Sequence, residues 1–248
     1  MIKHILPLIR PEPWPYSALK LPKIQNHRGY HLQGAVENSL ESFRQAAAFG
    51  GTCCELDVRL SRDQVPVVFH DEDLQRLKSR PEKISECTAQ DLWQWAEIPS
   101  LAKVLDDDGL TPFFNIELKS NRIDDPLPRK VVEVIRRCQA TQRVLFSSFN
   151  PASLFLLQNY AQEIPRALLA SSEVSAENKW YLRNLLLAPL LRIHLLNLDQ
   201  AMLTKEFIDL LNAESIPFAA WTVNEESEIR RLLKAGARSV ITDLKISI

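Results

Sequence analysis

Residues 53–71, CCELDVRLSRDQVPVVFHD, are the most informative stretch of the chain. Its first half alternates polar and apolar residues, as expected of a strand with one polar and one apolar face, and it puts Glu55 and Asp57 on the polar face. The Asp-Gln pair at 63–64 is interpreted as a two-residue hairpin turn, so counting outward from it pairs Asp57 with His70 on the returning strand. The stretch therefore predicts two carboxylates and an imidazole in one small patch.

The chemistry of this patch indicates a metal ion. Carboxylates that are crowded together repel each other and resist ionising unless a cation neutralises them. We therefore expect a divalent cation beside a histidine that can move protons, which is the outline of a hydrolytic site.

The rest of the chain alternates short apolar runs with longer helix-like segments. Besides the outgoing strand of the hairpin, the runs predicted as principal strands are residues 23–28, 112–119, 143–148, 166–170, 192–198, 217–223 and 239–243. Helices are predicted over residues 37–49, 88–95, 100–105, 128–138 and 151–160, and from residues 176, 204 and 225 onward. With the returning hairpin strand set aside as a short antiparallel addition, the pattern predicts an α/β fold, a (β/α)8 TIM barrel. An open doubly wound sheet is the alternative, but no glycine-rich phosphate loop follows an early strand and the chain has only six glycines.

Two segments lie outside the repeating pattern. Residues 1–22 contain five prolines and are predicted to be a leader packed on the barrel, not a targeting signal. Residues 71–108 are predicted to be a small insertion over one rim of a single TIM-barrel domain, 23–248. The leucine-rich region 180–198 is interrupted by charged residues and a proline, so it is predicted to be a buried helix followed by a strand and not a membrane span.

The composition argues against several kinds of partner. The formal net charge is -1, so we predict no nucleic-acid partner and no stable membrane insertion. With 46% hydrophobic and 25% charged residues, the chain can bury a sizeable core. The four cysteines lack zinc-site spacing and are interpreted as reduced, packing residues of a cytoplasmic protein. The sequence does not decide the oligomeric state.

Polar residues are predicted to gather at the carboxyl ends of the strands, where the reactive groups of such a barrel sit. His27 and Arg28 end the first strand, and alternation directs Glu117 and Lys119 inward at the end of the third principal strand. Each of these residues taken alone has a structural explanation, such as a salt bridge or a hydrogen-bonded histidine. Their arrival at one rim from separate strands is better explained by a functional site.

Several short motifs follow one another from residue 27 to residue 243. They are His27-Arg28-Gly29, Glu37-Asn38-Ser39, Glu55-Leu56-Asp57-Val58, residues 66–71 ending in His-Asp, Glu117-Leu118-Lys119, Ser148-Phe149, Trp221-Thr222-Val223-Asn224 and Ile241-Thr242-Asp243. In this order they resemble the glycerophosphodiester phosphodiesterases, members of the phosphatidylinositol-phospholipase-C-like barrel superfamily. The chain departs from the family's pattern at Val36 and Leu244, which replace prolines, at residues 63–64, where Asp-Gln replaces Asp-Gly, and at residues 72–80, which lack an Arg-Thr-Thr-like stretch.

The resemblance implies metal-dependent hydrolysis of glycerophosphodiesters, small-molecule substrates, to glycerol 3-phosphate and an alcohol. The residues it implies are Glu55, Asp57 and Glu117 as metal ligands, His27 and His70 as acid and base, Arg28 and Lys119 on the phosphate, Glu37 and Asn38 in support, and Phe149 and Trp221 as a substrate wall. Three carboxylates in an all-oxygen site suit Mg2+ or Ca2+ better than zinc or copper. One alternative is a lysophospholipase D-like or other lipid phosphodiesterase, with a groove to which the apolar leader residues 5–9 contribute. The other is a catalytically silent binding barrel.

Overall fold

A computed structural model describes residues 2–15, 20–120, 122–175 and 178–246. Within them, eight parallel strands close into a barrel, and a ninth strand pairs antiparallel on its outside. The strands are β1 (Ile24–Asn26), β2 (Cys53–Leu60), β3 (Pro66–Val68), β4 (Phe113–Leu118), β5 (Val144–Ser148), β6 (Arg166–Ala170), β7 (Leu195–Asp199), β8 (Phe218–Trp221) and β9 (Ser239–Thr242). Neighbours run in the order β1-β9-β8-β7-β6-β5-β4-β2, and the pairing of β1 with β2 closes the ring. The predicted (β/α)8 barrel with an added hairpin strand is confirmed.

Helices separate most of the parallel strands. They are α1 (Ile2–Ile5), α2 (Leu40–Ala48), α3 (Gln75–Lys78), α4 (Ala89–Ala96), α5 (Leu101–Leu105), α6 (Leu127–Arg137), α7 (Pro151–Tyr160), α8 (Trp180–Arg183), α9 (Lys205–Ala213) and α10 (Glu226–Lys234). Local sequence explains several starts: the Ser39 hydroxyl accepts from the Ser42 amide at the N-terminus of α2, and the Asn150 side chain accepts from the Ala152 amide before α7. None of the helices in the described part of the chain has the length and apolar character needed to cross a bilayer.

The prediction of a helix from residue 176 onward is wrong about the length of the helix. Residues 176–177 lie outside the described residues, and α8 has only four residues. Leu185 adopts a left-handed φ of 57°, and a short 3-10 turn at Ala188–Leu190 contains Pro189 at its start. The backbone reversal and the proline stop a longer helix before β7.

Apolar residues on the outer face of the sheet pack against the helices. Leu56 and Val58 of β2 and Ile116 and Leu118 of β4 are buried in one such cluster, as their alternation with the acidic residues predicts. Inside the barrel, a smaller cluster forms near the amino ends of the strands from Cys53, Phe113, Leu145, Ala167, Leu195 and Ala219. The acidic inward residues Glu55, Asp57 and Glu117 come after these apolar positions on β2 and β4, nearer the carboxyl ends.

Part of the leader, around Glu12, Trp14 and Leu21, lies near the amino ends of the strands. Trp14 and Leu21 pack against the small interior cluster, and the Glu12 amide donates to the Ile193 carbonyl at 2.7 Å, two residues before β7. Leu6 and Ile9 are buried against a second outer cluster. Because Leu6 and Ile9 are buried in that cluster, they do not line an open groove beside the site, and a contribution of Ile5 and Leu8 stays a prediction. The domain boundary at residues 22–23 stays a prediction.

Residues 71–108 contain α3, α4 and α5. Leu74, Ile84 and Leu92 form a small core of their own with Val67 and Phe69 of the hairpin. The excursion is thus anchored to the returning strand, which brings its first helix next to the end of the hairpin.

The register of the hairpin differs from the prediction by one residue. Leu60 pairs with Pro66, and the Ser61 amide donates to the Val65 carbonyl at 3.1 Å, which leaves residues 62–64 as the turn. Asp57 therefore faces Phe69 instead of His70. The cause is Gln64, whose left-handed φ of 61° adds a residue to the turn. His70 still reaches the rim because it follows β3 directly.

Candidate active site

The three predicted metal ligands converge at the carboxyl rim. β2 carries Glu55 and Asp57, and its neighbour β4 carries Glu117 in register with Asp57. One carboxylate oxygen from each residue lies within 4.8 Å of the others. Glu55 and Asp57 are almost fully buried, and Glu117 is nearly so. The cluster offers only hard oxygen ligands, as the sequence predicts.

The protein compensates these carboxylates unequally. Burial acts to raise the pKa of Asp57, but the Lys119 ammonium and the Arg28 guanidinium outweigh it, and the pKa is lowered. Burial raises the pKa of Glu55 to about 8, and the Asp57 charge adds to this effect. The carboxyl group of Glu55 is therefore protonated near neutral pH unless further positive charge reaches the cluster.

Lys119 bridges two members of the cluster. Its Nζ lies 2.6 Å from Glu117 Oε1 and 3.1 Å from Asp57 Oδ1. Burial acts to lower the pKa of Lys119, but the Asp57 and Glu117 charges outweigh it and raise that pKa. The lysine is a fixed positive charge that lines the cleft.

Arg28 meets the cluster from the opposite side. Its Nε lies 3.1 Å from Asp57 Oδ2, its Nη1 donates to Glu37 Oε1 at 2.6 Å, and its backbone amide donates to Glu55 Oε2 at 3.2 Å. The residue holds a left-handed φ of 54°. Gly29 follows at φ 80°, where a Cβ would meet the Ser42 side chain at 2.4 Å. Glycine is needed there because any side chain would collide with α2.

Asn38 fixes Asp57. Its Nδ2 donates to Asp57 Oδ2 at 2.8 Å, and its Oδ1 accepts from the Asp57 amide at 3.2 Å. Asn38 also has a left-handed φ, 58°, which is tolerated better by asparagine than by most residues. The supporting roles predicted for Glu37 and Asn38 thus have direct contacts in the structure.

Both predicted histidines line the cleft, and each ring nitrogen Nδ1 faces a carboxylate. His27 Nδ1 lies 2.8 Å from Asp243 Oδ1, and His70 Nδ1 lies 2.7 Å from Asp71 Oδ1. A carboxylate partner favours a proton on Nδ1 and leaves Nε2 for the opposite side of the ring. The arrangement gives two oriented imidazoles at one cavity.

The two imidazoles differ in their electrostatics. Burial acts to lower the pKa of His27, but the hydrogen bond to Asp243 and the charge of Glu55 outweigh it and raise that pKa. Burial also lowers the pKa of His70; Asp57 opposes the shift, but Lys119 and Arg28 add to it. The pKa values of the two imidazoles are therefore shifted in opposite directions, that of His27 upward and that of His70 downward.

The cleft enclosed by these groups has a volume of about 160 Å³. Its lining residues are His27, Arg28, Glu55, His70, Glu117, Lys119, Ser147, Phe149, Leu169, Trp221, Thr222 and Ile241. Phe149 and Trp221 form an edge-to-face pair with ring centroids 5.5 Å apart, and they supply an aromatic side to an otherwise charged cavity. A larger groove of about 650 Å³ lies between α7 and the segment around Leu190, but it is mostly apolar and holds no cluster of catalytic groups.

Known proteins with similar sequences and folds support a family assignment. A family model described as the glycerophosphoryl diester phosphodiesterase family matches residues 27–244. The chain belongs to this family. A glycerophosphodiester phosphodiesterase of Bacillus altitudinis is 31% identical over 90% of the chain and 95% of its own length. A lysophospholipase D of Homo sapiens is 26% identical over 90% of the chain and 83% of its own length.

A solved structure gives the same result. A phosphodiesterase of Oleispira antarctica, in complex with the product sn-glycerol 3-phosphate, is 27% identical with a TM-score of 0.74. The match covers 90% of this chain and 93% of that one. Family membership and barrel architecture therefore agree over nearly the whole chain.

Sequence analysis assigns no role to some residues that contact the candidate site. Asp243 and Asp71 orient the histidines, and Asn224 Nδ2 donates to Asp243 Oδ2 at 2.5 Å. Asp243 and Asn224 end the motifs on β9 and on the neighbouring β8, so strand adjacency was an available signal for that pair. No such signal existed for Arg76, which comes from the excursion and contacts both Glu37 and Asp71.

Proposed function

We propose that this chain hydrolyses glycerophosphodiesters to glycerol 3-phosphate and an alcohol, using a divalent cation and two histidines. One observation carries the proposal: three clustered carboxylates, two oriented imidazoles and the positively charged side chains of Arg28 and Lys119 meet at a single cleft. A structural salt-bridge network would not require two histidines on the cavity wall. The similarity to phosphodiesterases, one of them with bound sn-glycerol 3-phosphate, supports the same reaction.

The donor set fits Mg2+ or Ca2+. Glu55, Asp57 and Glu117 offer carboxylate oxygens only, which are the ligands these hard cations prefer. The raised pKa of Glu55 supports the assignment, because Glu55 is the carboxylate that the protein's own cations compensate poorly. A divalent cation held by these three residues would supply Lewis acidity to a bound phosphodiester.

The chain's own residues account for the rest of the chemistry. Arg28 and Lys119 supply fixed positive charge for the phosphoryl oxygens, the first as a planar fork and the second as a point charge. Neither group has to move when negative charge grows in the transition state, and preorganised charge of this kind lowers the barrier.

Proton transfer falls to His27 and His70. One removes the proton from the attacking hydroxyl, and the other protonates the departing alkoxide. The attacker is either the substrate's own glycerol 2-hydroxyl, which gives a cyclic phosphate that water opens, or water itself. Phe149 and Trp221 form the apolar wall for the glycerol carbons.

A lysophospholipase D-like activity is the second candidate. Three apolar side chains are exposed on loops that follow β1, β4 and β6, at the same end of the barrel as the cleft. They are Leu32, Ile123 and Val174, which are 56%, 88% and 79% exposed. An acyl-bearing substrate could place its chain across such loops while its phosphodiester enters the cleft.

The test is a substrate panel. Purified protein with Mg2+ or Ca2+ is offered glycerophosphodiesters that carry choline, ethanolamine, inositol or glycerol, and also lysophospholipids, and the released alcohol is identified. Turnover of the small diesters supports the proposal, and exclusive turnover of lysophospholipids supports the second candidate. A folded protein that binds diesters but turns none over is the catalytically silent barrel and refutes both.

The two histidines give a sharper test of the site. His27→Ala or His70→Ala should abolish turnover while circular dichroism and thermal melting stay close to the wild type. Near-normal rates in either variant would remove that histidine from the mechanism.

A further inference from the structure

Arg76 connects two parts of the active site without lining the cleft. It lies on α3 in the excursion 71–108, with its side chain 48% exposed. Its Nη1 and Nη2 donate to the two oxygens of Glu37 at 3.0 and 2.6 Å, and its Nε donates to Asp71 Oδ2 at 2.6 Å. One guanidinium therefore bridges two carboxylates, and the planar fork fixes their relative positions.

The first carboxylate holds the proposed phosphate-binding arginine. Glu37 Oε1 accepts from Arg28 Nη1 at 2.6 Å and from Arg76 Nη2 at the same distance. Glu37 is thus held in one orientation by two guanidinium groups that share its Oε1. If Arg76 were absent, Glu37 would keep only the contact with Arg28, and that pair could rotate together.

The second carboxylate holds one of the proposed acid-base groups. Asp71 Oδ1 faces His70 Nδ1 at 2.7 Å, and Asp71 Oδ2 accepts a hydrogen bond from Arg76 Nε at 2.6 Å. Because the two oxygens have different partners, Arg76 sets the plane of the carboxylate that orients the imidazole. Arg59 adds a further restraint, since its Nε donates to the His70 carbonyl at 2.7 Å and fixes the backbone.

We propose that Arg76 is a positioning residue that keeps the Arg28 guanidinium and the His70 imidazole in register with each other. The inference rests on the proposed function, in which both groups act on one phosphodiester. It gives the excursion a direct part in the site: a surface helix of this insertion holds the two sides of the cleft at a fixed spacing. Arg76 is half-exposed, and without it Glu37 keeps Arg28 as a partner and Asp71 keeps His70, so its removal should affect geometry more than folding.

The experiment compares Arg76→Ala with Arg80→Ala. Arg80 is a matched control because it lies in the same excursion and makes a bidentate pair with Glu82, with nitrogen–oxygen distances of 2.6 and 3.2 Å, away from the cleft. With saturating Mg2+ or Ca2+, Arg76→Ala should lower kcat by about 10- to 100-fold and raise KM, as expected when an outer partner of a functional group is lost. Arg80→Ala should stay within about twofold of the wild type, and both variants should melt like the wild type.

Two further measurements separate positioning from a purely structural role. Guanidinium added at millimolar concentration should restore Arg76→Ala several-fold, because the partly exposed position is open to a small planar cation, and Arg76→Lys should be intermediate. Nuclear magnetic resonance of ¹⁵N-histidine should show His70 with its proton fixed on Nδ1 in the wild type and tautomer exchange in Arg76→Ala.

The outcomes distinguish this inference from the proposed function. If the wild type lacks turnover, the proposed function fails, and the His70 spectrum still tests the positioning. If the wild type is active but Arg76→Ala matches Arg80→Ala, or if guanidinium restores nothing and the tautomer is unchanged, Arg76 does not position the site. Should Arg76→Ala melt early, Arg76→Lys takes its place in each comparison.

Discussion

We expect His194, at the end of the barrel away from the cleft, to make the free energy of unfolding depend on pH. It is 5% exposed, and its Nδ1 accepts a hydrogen bond from the Arg166 amide at 3.0 Å. Burial is the largest cause that lowers its pKa, to about 4, and the charges of Arg166 and Arg192 act in the same direction, while Glu12 opposes them. The folded protein therefore holds this imidazole neutral at pH values where the unfolded chain would protonate it.

The sign and size of the effect follow from proton linkage. Above pH 6.5, the ordinary pKa of histidine, both states leave the ring neutral and it contributes no pH dependence. Between pH 6.5 and about 4, the unfolded state binds more protons, so the free energy of unfolding falls as the pH falls. The full shift corresponds to about 3 kcal/mol, of which about 2 kcal/mol is lost by pH 5.

The assay is urea unfolding of the wild type and His194→Asn at pH 7, 6 and 5. Asparagine does not titrate, and its amide oxygen can accept from the Arg166 amide in place of Nδ1. We expect the wild type to lose about 2 kcal/mol more than the variant between pH 7 and pH 5. Equal losses in the two proteins would refute the reasoning, because any remaining acid sensitivity would then come from other groups.

Three further predictions concern the site and the leader. Asp243→Asn should lower kcat by about 10- to 100-fold with an unchanged melting temperature, because His27 loses the carboxylate that orients Nδ1; steady-state kinetics checks this, and an unaltered kcat contradicts it. Exhaustive chelation should inactivate the protein, and Mg2+ or Ca2+ should restore it; full activity after chelation would remove the metal from the mechanism. Trp14→Ala should lower the free energy of unfolding by roughly 2 kcal/mol, since Trp14 packs against the small interior cluster, and should leave kcat within about twofold; a large loss of kcat in a stable protein would place the leader in the chemistry.

The barrel could be predicted from sequence because its determinants are local. Leu56 and Val58 must face helices if Glu55 and Asp57 face inward, and the same logic holds for β4. Parallel strands then bring their carboxyl ends to one rim whatever the details of the loops. The meeting of the predicted acidic residues therefore depends on alternation and strand order, both of which the sequence shows.

The parts that could not be predicted depend on single backbone conformations or on long-range pairs. The hairpin register depends on Gln64, a residue that seldom adopts a left-handed φ. The short α8 depends similarly on Leu185. The contacts of Arg76 join Glu37 and Asp71 across a segment with few strand signals, so no periodicity could indicate them.

Arg28 and Asn38 both hold a left-handed backbone conformation, and both side chains contact the buried Asp57 carboxylate. A non-glycine residue in this conformation costs on the order of 1–3 kcal/mol, and glycine there would relieve much of it. Glycine would also remove the Arg28 guanidinium or the Asn38 amide from the buried Asp57 carboxylate, and loss of a partner from a buried charge costs about 3–5 kcal/mol, so selection for heat resistance should keep both side chains. Any engineering programme for thermostability should keep these two side chains fixed and gain its increments elsewhere on the barrel.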